Sequence, residues 1–242
     1  YLVEITEVCL STKDNDTDDD VVEKILDKAG QKGTGLWTVV SALELGVSVP
    51  TIYASLNARV MSSLKDQRVK VEDSIPLEIT DSFDLGDISN NMEPLFDAIS
   101  LASIASYSQG MDILMKASDA YNYDLDMPSI AQIWKGGCII RSKLLKRIQE
   151  AYQKDPKLEN LIFDDWFNTQ INSKLKNLAY IVSSASKANI PVPCLSSTLD
   201  YFNSYRTARL PQNLVQAMRD CFGSHTYERT DREGHFHTEW LK

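Results

Sequence analysis

The stretch Gln31-Lys32-Gly33-Thr34-Gly35 is a basic, glycine-rich turn placed directly ahead of the apolar-periodic segment Trp37 to Leu45. Such a turn can hold an anion. Its glycines let the backbone come close, N–H groups at the helix start point outward, and Lys32 and Thr34 add a positive charge and a hydroxyl donor. It is not a Walker loop, because GxxxxGK[ST] is absent and no strand precedes it. Taken alone, a turn of this kind is more often a plain connection between helices. Arg59, on the next predicted helix and followed by Ser62, Ser63 and Lys65, is a candidate second contributor. A helical Arg usually serves the surface or a salt bridge, but its planar fork can also donate two parallel hydrogen bonds to a phosphate. A third set lies near the end, where Arg219-Asp220-Cys221-Phe222-Gly223-Ser224-His225-Thr226-Tyr227-Glu228 closes a helix with a glycine stop.

Other residues suggest chemistry less well. All three histidines fall in the last eighteen residues, but His235 and His237 are one residue apart with no cysteine nearby, so no metal site is expected. The polar segment Arg229 to Lys242, with Phe236 and Trp240 as isolated aromatics, reads as a tail that docks on a partner. Cys9, Cys138, Cys194 and Cys221 are widely spaced without a CxxC pair. They are expected to be buried free thiols in a reducing compartment rather than a zinc site or disulfide framework. The acidic run Asp14, Asp16, Asp18, Asp19, Asp20 lacks the glycine and final glutamate of an EF-hand. It is expected to be a solvated loop capping a helix that begins near Val21.

The elements that must position these residues are helices. Apolar residues recur at helical spacing in Val21, Ile25, Leu26 and Ala29, in Trp37, Val40, Leu43 and Leu45, and in Ile99, Ile104 and Ala105. Period-two alternation is nearly absent. Gly46 with Pro50 closes one segment, Pro94 and Pro128 mark helix starts, and Gly136-Gly137 follows Trp134. The class is all-α, with about ten helices.

A weak repeat, offset by 143 residues, aligns Ser41-Ala42-Leu43-Glu44-Leu45-Gly46-Val47-Ser48-Val49-Pro50 with Ser184-Ala185-Ser186-Lys187-Ala188-Asn189-Ile190-Pro191-Val192-Pro193. In each copy a helix should stop at a residue tolerant of left-handed backbone, Gly46 or Asn189, and a Val-Pro pair should start the next. Two similar helical halves, an internal duplication, would pack into one large domain over residues 1–223, and residues 224–242 would form an extended C-terminal tail.

Composition narrows the partners. A chain of 242 residues, 43% hydrophobic, can bury a sizeable core. Its net charge of −9 argues against a nucleic-acid surface, which needs clustered Lys and Arg. No apolar run approaches the ~20 residues that span a bilayer, and the first residues have no basic n-region. The expectation is a cytoplasmic protein with no membrane or nucleic-acid partner. The abrupt apolar start Tyr1-Leu2-Val3-Glu4-Ile5 reads as the interior of a longer protein.

Five words in order span nearly the whole chain: Gln31-Lys32-Gly33-Thr34-Gly35-x-Trp37-Thr38, Arg59-x-x-Ser62-Ser63-Leu64-Lys65, Ser106-Tyr107-Ser108-Gln109-Gly110, Trp134-Lys135-Gly136-Gly137-Cys138-Ile139-Ile140-Arg141-Ser142 and Arg219-Asp220-x-Phe222-Gly223-x-His225-Thr226-Tyr227-Glu228. Together they resemble the carboxy-terminal helical domain of the 6-phosphogluconate dehydrogenases. The resemblance implies an enzyme that oxidatively decarboxylates 6-phosphogluconate to ribulose 5-phosphate and CO2 with NADP, in the pentose phosphate pathway. It implies an amino-terminal Rossmann domain for NADP and a homodimer whose tail reaches the other subunit. It implies a substrate held by Lys32, Thr34 and Arg59 of one subunit and by Arg219 and His225 of its neighbour.

The family's catalytic lysine and glutamate lie upstream of Tyr1, and no GxGxxG follows a strand here, so no catalytic residue is assigned to this chain and alone it should be inactive. Leu36 stands where the family usually has a lysine, and the tail ends soon after Trp240. A non-catalytic helical dimerisation or binding module that kept the scaffold is the alternative reading.

Overall fold

The computed structural model describes residues 1–30, 32–75 and 88–241; Gln31, the first residue of the basic turn, and Lys242 lie outside them. Eleven α-helices are found among the described residues: α1 (Leu2–Ser11), α2 (Val21–Lys24), α3 (Thr34–Glu44), α4 (Pro50–Ser63), α5 (Lys65–Ser74), α6 (Ile88–Tyr121), α7 (Met127–Trp134), α8 (Leu144–Lys154), α9 (Asp165–Lys187), α10 (Pro193–Tyr205) and α11 (Gln212–Gly223). Beside them stand a 3-10 turn at Leu161–Phe163 and a small antiparallel pair, β1 (Tyr227–Glu228) and β2 (His235–Phe236). Tyr227 lies opposite Phe236, and Glu228 opposite His235. The fold is all-α, as expected, and no helix among the described residues is long and apolar enough to cross a membrane. The chain forms two compact units, Tyr1–Tyr201 and Phe202–Lys242.

In the first unit the long helices α6 and α9 make the main packing. Leu101, Ile104, Ala105 and Met111 of α6 and Phe167, Ile171, Leu175, Leu178 and Ile181 of α9 are buried at three- and four-residue spacing, which gives each helix one apolar stripe. The Asp164 carboxylate starts α9 by accepting from the amides of Trp166 (3.0 Å) and Phe167 (3.3 Å). Asp97 of α6 accepts from Lys174 Nζ (2.7 Å) and Asn177 Nδ2 (2.8 Å) of α9. Burial pushes the Asp97 carboxyl up, and these two donors outweigh it, so the group is held below the usual carboxylate range.

The repeat has a shared geometry. After α3 the amide of Val47 donates to Ala42 (2.7 Å) and that of Gly46 to Leu43 (3.1 Å). After α9 the amide of Ile190 donates to Ala185 (2.9 Å) and that of Asn189 to Ser186 (3.2 Å). Both are Schellman ends, with Gly46 at φ +69° and Asn189 at φ +57°, and Pro50 and Pro193 open the helices that follow. The buried amide of Gln109 links the counterparts. Its oxygen accepts from the first-turn amides of α4 at Thr51 (3.2 Å) and Ile52 (3.3 Å), and Thr51 Oγ1 meets Thr198 Oγ1 of α10 at 3.1 Å.

Five local expectations fail. The helix from Val21 stops at Lys24, and Ile25 and Leu26 are exposed on an extended segment, because residues 27–30 are hydrogen-bonded elsewhere, as described below. Asp20 does not cap α2 with its side chain; it pairs with Lys13 (2.8 Å), closing the acidic loop on itself. Pro94 sits inside α6 rather than at its start. The cysteines are free, but Cys9 is exposed and the others are only half-buried. The stripe Trp37, Val40 and Leu43 lies on a helix as predicted, yet it faces outward, with Trp37 65% and Leu43 71% exposed. Val39 and Ala42 supply the buried face of α3 instead.

Candidate anion-binding site

In the first unit the basic turn leads directly into α3. Gly33 is the N-cap residue at φ +100°, a left-handed conformation that side-chain-bearing residues rarely adopt. The Trp37 ring packs beneath it, 3.6 Å from where a Cβ would lie. No side chain caps the helix, so the first-turn amides of α3 carry their partial positive charge outward beside Lys32 and Thr34, both exposed. Leu36 lies in the same first turn, two residues after Thr34, and is also exposed.

The segment before the turn is fastened to the α4–α5 corner. Arg59 Nη2 donates to the carbonyl of Gly30. The amide of Ala29 donates to Ser62 Oγ (2.9 Å). Asp27 receives Lys65 Nζ (2.7 Å) and Arg68 Nη1 (2.9 Å), and Arg68 Nη2 also donates to the carbonyls of Asp27 and Ser62 (3.1 Å each). Hydrogen bonds from Lys65 and then Arg68 hold the Asp27 carboxyl down at about 2. These bonds consume the polar groups that a continued helix would have used, which explains the end of α2 at Lys24. They also bring the Arg59 guanidinium to the foot of the Lys32–Thr34 turn, so three of the five predicted residues share one place.

The other two lie in the second unit, where α11 ends. Arg219 Nη1 donates to Gln216 Oε1 (3.1 Å), and Gln216 Nε2 donates to the carbonyl of Thr226 (2.5 Å). His225 is flanked by Ser224 at φ +50° and Thr226 at φ +55°. The glycine stop works differently from the sequence expectation, since Ser224 and not Gly223 takes the left-handed position. Gly223 leaves room for the His225 ring: a Cβ there would lie 2.9 Å from His225 Cδ2 and Nε2 and would push the ring aside. The His225 ring also packs edge-on against Phe222, with centroids 5.9 Å apart.

Beneath this turn Asp220 is fully buried. It accepts from the amide of Thr226 (3.0 Å), the amide of Thr238 (3.0 Å), Trp240 Nε1 (2.8 Å) and, at 2.9 Å, meets His237 Nδ1. Burial raises the carboxyl, and the donors of His237, Trp240 and Thr238 outweigh it and hold it well below the usual range. In the sequence Asp220 stands only as a member of the final word, and His237 only beside His235 where no metal site is expected. A buried carboxylate in a polar-looking segment leaves no signature of its own.

The comparisons with known proteins agree on one family. The family described as 6-phosphogluconate dehydrogenase, C-terminal domain, matches residues 1–240. A decarboxylating 6-phosphogluconate dehydrogenase of Synechococcus elongatus is 48% identical over 242 residues, which is all of this chain and 51% of that protein. An NADP(+)-dependent, decarboxylating relative in Bacillus subtilis is 46% identical, over all of this chain and 51% of its own length. The 6-phosphogluconate dehydrogenase of Plasmodium falciparum, solved in its apo form, with its cofactor NADP+ and with its substrate 6-phosphogluconate, superposes with a TM-score of 0.94 at 45% identity, over 99% of this chain and 51% of that one. The chain spans about half the length of the relatives it matches. It belongs to the C-terminal domain family of the 6-phosphogluconate dehydrogenases.

Proposed function

We propose that this chain is the substrate-holding and dimer-forming helical half of a 6-phosphogluconate dehydrogenase that oxidatively decarboxylates 6-phosphogluconate with NADP in the cytoplasm. The observation that carries the reading is Arg59 on the carbonyl of Gly30, which brings a guanidinium to a glycine-opened helix start that already carries Lys32 and Thr34. A sugar-acid phosphate bears nearly two negative charges. Lys32 and Arg59 meet that charge, Thr34 and the first amides of α3 add neutral donors, and each charge-assisted bond is worth about 1.5–3 kcal/mol net.

Arg219 and His225 of the partner subunit complete the grip. Residues 1–223 form the helical domain and residues 224–242 the tail that reaches the partner. The apolar residues left open on α3, Trp37, Val40 and Leu43, and on α11, Leu214, Val215, Met218 and Phe222, support a protein partner, since exposed apolar surface of this extent favours burial in an interface.

NADP is held mainly by the other half of the enzyme. The described strands are two residues long each, and no glycine-rich turn joins a strand to a helix among the described residues, so the pyrophosphate cradle of a dinucleotide site belongs to the other half of the enzyme. The hydride-accepting chemistry comes with that cofactor. The residues of this chain bind and orient the substrate and supply no acid or base. In the complete enzyme, Arg59→Ala is expected to raise the KM for 6-phosphogluconate by about tenfold or more with little change in kcat, the signature of lost uniform binding. An unchanged KM would count against the site.

A further inference from the structure

We propose that Asp220 is a positioning residue for the substrate-binding end of α11, setting the places of Arg219 and His225 by gripping both the turn that follows the helix and the tail beyond it. The inference rests on the reading of Arg219 and His225 as substrate ligands.

A carboxylate in the last turn of a helix faces the negative end of the helix dipole, where an acid is unfavourable. Asp220 nonetheless lies there, fully buried, with no Lys or Arg among the described residues bonded to it. Its four partners come from two segments. Thr226 belongs to the turn next to His225, whereas His237, Thr238 and Trp240 belong to the segment that follows β2. Both backbone polar groups of Thr226 are held, its amide by Asp220 and its carbonyl by Gln216 (2.5 Å), and Gln216 also accepts from Arg219 (3.1 Å). One helical face therefore fixes the backbone after His225 and the guanidinium of Arg219 together.

The left-handed φ values of Ser224 and Thr226 need such support, because non-glycine residues reach that region only when surrounding bonds impose it. With the Thr226 amide released, the turn can relax to ordinary backbone and the His225 ring loses its place over Gly223. The three tail donors keep the carboxylate buried and ionised, so they act on the substrate ligands without touching substrate.

The test uses the complete dehydrogenase subunit that carries this chain. Asp220→Asn keeps the shape but presents an amide N–H to donors, and Trp240→Phe removes a single distant donor. Asp220→Asn is expected to raise the KM for 6-phosphogluconate about tenfold or more while kcat and the KM for NADP stay within about twofold. Trp240→Phe should move the same constant in the same direction by less. Hydrogen exchange should quicken at the amides of Thr226 and Thr238 in both variants. Arg219→Ala serves as the control for the underlying reading.

If Arg219→Ala leaves KM unchanged, the assignment of the site itself fails. If Arg219→Ala raises KM but Asp220→Asn does not, or lowers kcat in proportion, the positioning role is overturned and the assignment stands. Should Asp220→Asn fail to fold, Trp240→Phe and His237→Gln decide alone, and two wild-type KM values for 6-phosphogluconate overturn the proposal.

Discussion

Gly223→Ala separates substrate binding from stability in one substitution. Gly223 is the last residue of α11, and its backbone is helical rather than left-handed. Alanine there should favour the helix by roughly 0.5–1 kcal/mol, since glycine costs more backbone entropy. The new Cβ, however, would lie 2.9 Å from His225 Cδ2 and Nε2. Carbon contacts settle near ~3.5–4.0 Å, so the ring must give by about 0.6–1 Å, and a ring at the end of a side chain can do so without unfolding anything. A hydrogen bond formed near ~2.9 Å and stretched that far leaves the useful range. Loss of one bond to a charged group costs about 1.5–3 kcal/mol, which corresponds to a rise in the KM for 6-phosphogluconate of about ten- to a hundredfold. Steady-state kinetics of the complete enzyme and urea unfolding followed by circular dichroism give the two readings. Retained or improved stability with a raised KM is expected. A wild-type KM, or a KM rise that merely accompanies destabilisation, would refute the reasoning about His225.

Lys174→Met strands the buried Asp97 carboxylate with Asn177 as its remaining donor and is expected to destabilise the first unit by about 3 kcal/mol, the low end for breaking a buried pair; adding Asp97→Asn in the same chain should recover much of the loss in urea unfolding. Asp27, held at about 2 against its ordinary 3.8, has a depressed folded pKa, so its contribution is complete above the unfolded value and disappears as pH falls through about 2. The difference in urea midpoint between wild type and Asp27→Asn should therefore be steady at neutral pH and shrink between pH 4 and 2; a difference independent of pH would contradict the ionic fastening of this loop. Sedimentation of the chain at micromolar concentration should show a dimer that covers the open faces of α3 and α11, whereas a monomer would argue against that use of the apolar residues.

The features legible in the sequence were those with local causes. Gly46 and Asn189 end helices because their backbone tolerates the left-handed position, and the 143-residue offset between them carried through to matching hydrogen bonds. Pro50 and Pro193 start helices because a first-turn proline sacrifices no bond. What stayed hidden depended on distant partners. Ile25 and Leu26 have helical spacing with Val21, but Arg59, Ser62, Lys65 and Arg68 claim the backbone and carboxylate just beyond them. Trp37 and Leu43 look like core and face outward, because periodicity reports an apolar face and not what covers it. Asp220 is invisible for the same reason: its role is defined by donors up to twenty residues downstream.

In the proposed enzyme one substrate site takes Lys32, Thr34 and Arg59 from one subunit and Arg219 and His225 from the other. Subunit mixing tests it most directly. Complete enzymes carrying Arg59→Ala or Arg219→Ala are each assayed alone at a substrate concentration where both are nearly silent, then unfolded together, refolded as a mixture and assayed again. In a two-fold dimer with shared sites, half of the reassembled molecules pair the two variants and each of those holds one intact site, so about a quarter of wild-type activity should return. No recovery on mixing, with dimers confirmed by sedimentation, would place Arg59 and Arg219 in the same subunit's site and contradict the account.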